Sequence, residues 1–305
     1  MSNQPGIARF TCILLATLLS ACNGGSSGGG GGGNGGDELS NVPSGLYRAE
    51  FSFAVDFSLM LGGTTTRLQT TGDLTALGSW TNNAPNPSVF DFCEPEGPVM
   101  VSDDDPGEAD PSGCLSYDYT ETRLSDTSFQ IEENCDGFGT VAILTLVRSD
   151  PSFDQGSLSM TSNAFPNLDA TAGVCGQIGS STTTTTETPP GPPTGVSTFT
   201  ESTFQVGAPY ESTRLVLRFF FGIDPLVPGT YSVAIDPSVQ PADGVDVILT
   251  SSAFGGTPDN PDEIDGSGGT VTITSASDTA VAGSYDVTSG AGLTFSGSFD
   301  LDLTR

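Results

Sequence analysis

Residues 292–304 read GLTFSGSFDLDLT, and their pattern sets the fold class. Apolar and polar side chains alternate along the stretch, and the apolar positions are Leu293, Phe295, Phe299, Leu301 and Leu303. Because successive side chains of a β-strand point to opposite faces of a sheet, this period of two places the apolar set on one face. The stretch therefore predicts a strand with one buried face and one solvated face.

The rest of the chain repeats this pattern with shorter runs. Stretches rich in Val, Ile, Thr, Phe and Tyr alternate with Gly, Pro, Asp and Asn, and helical periodicity is nearly absent after the first twenty residues. SGAG at 289–292 predicts a hairpin turn before the last strand. Phe219-Phe220-Phe221 interrupts strict alternation, which favours a central strand covered on both faces over an exposed aromatic patch. We expect an all-β protein with antiparallel, sandwich-like packing.

Composition divides the chain into five segments. Residues 1–21 read as an export signal, and 22–36 follow as a Gly/Ser-rich tether. A Thr/Pro-rich stretch, GSSTTTTTETPPGPPTG at 179–195, predicts an extended linker. Two β-sandwich-like domains are then expected at 37–178 and 196–305, each long enough to fold independently.

The N-terminal segment ends in a short motif with a chemical meaning. Leu19-Ser20-Ala21-Cys22 resembles the lipobox of bacterial lipoproteins, in which the cysteine becomes the lipidated first residue of the mature chain. The resemblance implies a diacylglyceryl thioether on Cys22 and an amide-linked acyl chain such as palmitate, and two or more chains anchor stably in a membrane. Residue 23 is Asn rather than Asp, which by the same resemblance points to the outer membrane, facing either the periplasm or the cell exterior.

A second, weaker resemblance lies near the C-terminus. The pattern GTVTIT, GSYDV and GSFDLDL resembles β-sandwich domains of other exported lipoproteins of uncharacterised role. It lends no catalytic residue to this chain.

Charge narrows the range of functions. The chain has 37 acidic residues, 8 arginines, no lysine and no histidine, for a formal net charge of −29. Such a field repels nucleic acid, so no nucleic-acid partner is expected and contact with the membrane should run through the lipid. A site of the Ser-His-Asp or Cys-His type is excluded, and carboxylates are the main catalytic groups left.

Four cysteines remain after the signal and Cys22 are set aside, and an exported chain with an even number predicts two disulfides. Their spacing allows three pairings. We favour Cys93 with Cys114 and Cys135 with Cys175, with a Cys114–Cys135 hairpin disulfide as the rival.

Two acidic clusters are candidate calcium sites, because calcium takes several oxygen ligands from loops. Neither matches the EF-hand spacing, since position 261 is proline and position 263 is glutamate. The candidate ligands are Asp103, Asp104, Asp105, Asp259, Asp262 and Asp265.

Trp80, the single tryptophan, could stack on a sugar, but a packed position at a strand end is the preferred interpretation. These observations predict a non-enzymatic, lipid-anchored module of the cell envelope, with a binding, adhesion or structural role. The alternatives are a carboxylate-based extracellular glycoside hydrolase, which needs two acids about 5 to 10 Å apart, and a calcium-binding surface protein.

Overall fold

The computed structural model describes residues 41–61, 63–83, 88–93, 99–101, 117–135, 139–149, 155–234, 244–257 and 260–304. These residues form an all-β fold, as predicted, with a single 3₁₀ turn at Ser252–Phe254. The strands are β1 (Gly45–Leu61), β2 (Thr64–Thr81), β3 (Ser88–Asp91), β4 (Val99–Val101), β5 (Tyr117–Arg123), β6 (Ser128–Cys135), β7 (Gly139–Arg148), β8 (Gly156–Ser162), β9 (Leu168–Ala170), β10 (Cys175–Thr188), β11 (Gly195–Tyr210), β12 (Thr213–Phe221), β13 (Gly229–Val233), β14 (Gly244–Thr250), β15 (Gly256–Thr257), β16 (Asn260–Pro261), β17 (Glu263–Ala276), β18 (Ala280–Ser289) and β19 (Thr294–Asp302).

Seventeen of the strands form one sheet. Antiparallel pairing runs in the order β5-β6-β7-β1-β2-β10-β11-β12-β14-β17-β18-β19-β8-β9. β3 and β4 extend the sheet from the end of β2, and β13 pairs with β14 and β17. β15 and β16 form a separate small ribbon.

In the described part of the chain, no helix has the length and apolar character needed to cross a membrane.

The larger hydrophobic core lies on one face of the strands from β11 to β8, which we call the main-core face. This face carries Phe204, Phe219 and Phe299, whose rings pack with centroids 4.5 to 5.3 Å apart. Leu158 and Met160 of β8 belong to the same cluster as Phe204 of β11, although these strands stand far apart in the pairing order. The sheet therefore curls until β8 and β11 share one core.

The last strand behaves as its sequence predicts. Phe295, Phe299 and Leu301 are buried in the main core, while Ser298 and Asp300 are exposed. The predicted turn also forms, because the amide of Gly292 donates to the carbonyl of Ser289 at 3.0 Å.

The strand that carries the three consecutive phenylalanines is covered on both faces, which confirms the prediction of a central strand. Phe219 and Phe221 are fully buried in the main core, and Phe220, on the opposite face, is partly buried. β12 therefore lies inside the sheet between β11 and β14.

The prediction of a spacer at 179–195 is wrong for most of its length. Residues 179–188 belong to β10, which is hydrogen-bonded along one edge to β2 and along the other to β11. Threonine is β-branched and suits a pleated strand, so a Thr-rich run fits the sheet interior as well as it fits a linker. The prolines that follow occupy the connection to β11, where the amide of Thr194 donates to the carbonyl of Glu187.

This strand removes the predicted boundary between the domains. β10 joins residues of 37–178 to residues of 196–305, and β8 pairs directly with β19. Among the described residues the two halves share one continuous sheet, so 179–195 does not separate two independent sandwiches.

Candidate functional site

A disulfide ties the region after β3 to the start of β10. Cys93 and Cys175 are bonded with their Cα atoms 5.4 Å apart, across a sequence separation of 82. The favoured pairing of Cys93 with Cys114 and of Cys135 with Cys175 is therefore wrong. That pairing assumed closure of short loops, whereas β3 and β10 both pair with β2, at neighbouring positions along it, so Cys93 meets Cys175. Cys114 lies outside the described residues, and Cys135 ends β6.

The disulfide marks the second face of the sheet, which we call the disulfide face. On β10 and β11 it carries alternate residues, because side chains directly opposite across a sheet share a face. Cys175 lies opposite Gly207, Gln177 opposite Gln205, and Ser181 opposite Glu201. Along the middle of these two strands the face carries Cys175, Gln177, Gly179, Ser181, Thr183, Phe199, Glu201, Thr203, Gln205 and Gly207.

A short segment, residues 88–93, lies at one end of this face, and we call it the capping segment. A Cβ added to Gly207 would lie 3.1 Å from Cys93 Sγ, so the sulfur rests directly over this glycine. The Arg214 guanidinium, from β12, donates to the carbonyl of Phe92 and lies 3.6 Å from a carboxylate oxygen of Asp91. A covalent bond and an arginine therefore hold the segment in place.

Trp80 packs beside the capping segment, directly opposite Phe90 of β3. It is 1% exposed and belongs to the same cluster as Phe90, Phe92 and Cys175. The preferred interpretation of this tryptophan as a packed strand-end residue is correct, and its ring is not available for stacking on a sugar from solvent.

Glu201 is the one carboxylate among the buried residues of the described chain. Its side chain is 3% exposed and accepts a hydrogen bond from Ser181 Oγ at 3.0 Å. Burial raises the pKa of Glu201 to about 7, against a smaller lowering by the serine. Two residues along β10, Thr183 shares a buried hydrogen bond of 3.0 Å with Thr70 of β2. Ionisable and hydroxyl groups are thus built into the middle of the sheet.

Five buried polar atoms have no hydrogen-bond partner within the described structure. The register of the paired strands places all five side chains on the disulfide face. For example, Cys175 lies opposite Gly207, Gly207 lies opposite Val216, and Val216 lies opposite Thr250, so all four residues share this face. Buried polar groups are almost always hydrogen-bonded, and leaving one unpaired costs about 1–3 kcal/mol. The atoms are Trp80 Nε1, Glu121 Oε2, Gln177 Oε1, Gln205 Nε2 and Thr250 Oγ1.

The predicted calcium ligands do not form a cluster in the described structure. Asp262 and Asp265 are exposed, and the neighbouring Glu263 pairs with Arg218 at 2.9 Å. Asp103, Asp104, Asp105 and Asp259 lie outside the described residues. Elsewhere in the described ranges, no three or more Asp, Glu or Cys side chains come close enough to hold a metal ion.

The lipidation motif, Leu19 to Cys22, and the tether at 22–36 also lie outside the described residues. Both remain predictions from the sequence.

No protein-family model, curated protein or solved structure matches this chain. The disulfide face is therefore interpreted from its own residues. No sequence motif marks Gln177, Glu201 or Gln205, although TFQV at 203–206 alternates polar and apolar side chains. That signal was present, but it is the signal of any strand with a solvated face.

Proposed function

We propose that this protein is a lipid-anchored binding protein of the outer membrane, and that its ligand site lies on the disulfide face of the sheet. The observation that carries the proposal is that all five partnerless buried polar atoms lie on that one face, two of them on Gln177 and Gln205, which are directly opposite each other. A scaffold that only spaced or supported the envelope would gain nothing from this arrangement. A binding site needs convergent polar groups that remain unpaired until a ligand arrives.

The arrangement supports binding better than glycoside hydrolysis. A hydrolase of that kind requires two carboxyl groups flanking the scissile bond. Glu201 lies opposite Ser181, and its neighbours on the same face of β11 are Phe199 and Thr203. Its immediate surroundings in the sheet therefore supply hydroxyl and apolar groups, with no second acid.

Attachment to the membrane is proposed from the sequence motif. Cys22 follows Leu19, Ser20 and Ala21, and the Gly/Ser-rich residues after it would separate the acidic body from a membrane surface of like charge. The anchor explains how a body with 37 acidic residues stays at the envelope.

Metabolic labelling with radioactive palmitate tests the anchor. The wild-type chain and a Cys12→Ser control should incorporate label, and Cys22→Ser should lose it. Label that persists in Cys22→Ser would refute lipidation at this residue.

Binding is tested separately by applying the purified full chain to a glycan array. The wild type and Gln130→Met, which changes a partly exposed glutamine of β6, should give the same pattern of bound glycans. Gln205→Met should lose it. Identical patterns for all three chains would remove the disulfide face from the binding site.

A further inference from the structure

The partnerless amides of Gln177 and Gln205 form a pair. The two residues lie directly opposite each other on β10 and β11, so their Cβ atoms are separated by about 5 Å. Gln177 leaves an acceptor, Oε1, without a donor, and Gln205 leaves a donor, Nε2, without an acceptor. Gln205 as a whole is 3% exposed. One missing group next to both side chains would therefore have to donate one hydrogen bond and accept another.

The residues around the pair leave it few partners within the protein. Ala76, on β2, lies opposite Gln177 and offers only a methyl group. Arg218, on β12, lies opposite Gln205, and its guanidinium is engaged with Glu263 at 2.9 Å. Next along the disulfide face, Cys175 lies opposite Gly207, and Cys93 Sγ rests over that glycine. A methyl group, a glycine and an engaged guanidinium thus flank the two amides on these sides.

The chemistry of the missing group follows from the two amide atoms. A carboxylate or phosphate oxygen could accept from Gln205 Nε2 but could not donate to Gln177 Oε1. An ammonium group could donate to Gln177 Oε1 but could not accept from Gln205 Nε2. A hydroxyl group does both. Turning both amides over exchanges the two roles and leaves the same requirement.

We propose that a hydroxyl group bridges Gln177 and Gln205 in the functional protein, supplied either by a neutral saccharide bound at the disulfide face or by a buried water molecule. The saccharide source rests on the proposed binding function, whereas the bridge itself does not. Both sources satisfy the same two atoms, and they differ in whether the group arrives with an added ligand.

Thermal unfolding of the purified full chain tests the bridge through a double-mutant cycle. Methionine matches glutamine in shape and lacks its polar atoms. In the melt that contains the bridging group, which is buffer alone for water and buffer with added saccharide for a saccharide, Gln177→Met and Gln205→Met should each lower the Tm relative to wild type by about 2–8 °C, because each leaves the bridging group short of one partner. The double variant should lose less than the sum of the two, since both variants break the same bridge. Gln130→Met is the matched control and should leave the Tm within about 1 °C.

The opposite sign in both melts, without and with added saccharide, would overturn the proposal. If no group bridges the two amides, replacing either one removes a buried unpaired polar atom, and the Tm should rise. Additive losses from the two variants would overturn it as well, because they would show that no group links the side chains.

The same melts distinguish the two sources when repeated with millimolar neutral monosaccharides. A Tm increase in the wild type and in Gln130→Met that is absent from both single variants assigns the hydroxyl to a saccharide. Coupled losses without any saccharide-dependent increase assign it to water. That second result would remove this pair from the ligand site, while palmitate labelling at Cys22 would be unaffected.

Discussion

Replacing Glu201 with glutamine should abolish a pH dependence of stability that the wild-type chain shows between pH 4.5 and 7. The carboxyl group is buried in the sheet, and its pKa rises from an ordinary value of 4.5 to about 7. Folding therefore favours the protonated form. The resulting stabilisation is fully present below about pH 4.5 and is lost as the pH rises through 7.

The size of the effect follows from the shift. Each pKa unit corresponds to 1.36 kcal/mol, so ionisation of Glu201 should remove about 3 kcal/mol from the free energy of unfolding between pH 4.5 and 8. In the glutamine variant the amide oxygen can still accept from Ser181, and no charge forms at any pH. The free energy of the variant, measured relative to wild type, should therefore rise by about 3 kcal/mol across this range.

Urea unfolding followed by tryptophan fluorescence measures the difference directly. Trp80 is the single tryptophan and is 1% exposed, so its emission reports on loss of the core. Glu187→Gln is the matched control, because Glu187 is an exposed acid at the end of the same β10 strand and its substitution should change stability by less than about 0.5 kcal/mol at every pH. A Glu201→Gln difference that is constant with pH, or that falls as pH rises, would refute the reasoning.

Three further predictions concern the fold. Peptide mapping without reduction should recover Cys93 linked to Cys175 and, as the cysteines that remain, Cys114 linked to Cys135; a Cys93–Cys114 peptide would contradict the structure. Phe219→Ala should lower the free energy of unfolding by about 3–5 kcal/mol in urea titrations, and Phe220→Ala should cost clearly less because its ring is only partly buried; equal losses would contradict this placement of β12. Thr183→Val should cost about 1–3 kcal/mol because it leaves the Thr70 hydroxyl unpaired, whereas Thr184→Val, on the opposite face of β10, should be nearly neutral; two neutral substitutions would support the spacer instead.

The sequence was sufficient for elements whose pattern has one physical solution. Alternation from Leu293 to Leu303 identified β19 with its buried and exposed faces, and the run of phenylalanines identified a strand covered on both sides. In each case hydrophobic burial alone determines the geometry.

The prediction for residues 179–188 was wrong for a physical reason. Threonine suits both an extended linker and a strand, and only the partners on β2 and β11 decide between them. The pairing with β2 depends on residues more than 100 positions away along the chain, which composition within a window cannot show. The predicted cysteine pairing was wrong for a similar reason, because loop length does not reveal which strand ends meet.

The candidate site was hidden by the same alternation that revealed the strands. Thr203 and Gln205 alternate with Phe204 and Val206, which predicts a solvated face for them and for Glu201 on the same side of the strand. The period of two distinguishes the two faces of a strand, but it does not show whether the polar face is covered. Here it is covered, so polar side chains that would be ordinary at a surface become buried groups with unmet hydrogen bonds.

We expect a bound group to fill the unmet hydrogen-bonding capacity of the disulfide face. A high-resolution crystal structure of the protein tests this most directly, at the space between Gln177 Oε1 and Gln205 Nε2. We predict density for an ordered oxygen atom within about 2.7–3.2 Å of both amide atoms. Two amides hydrogen-bonded directly to each other, or an empty space between them, would contradict the claim.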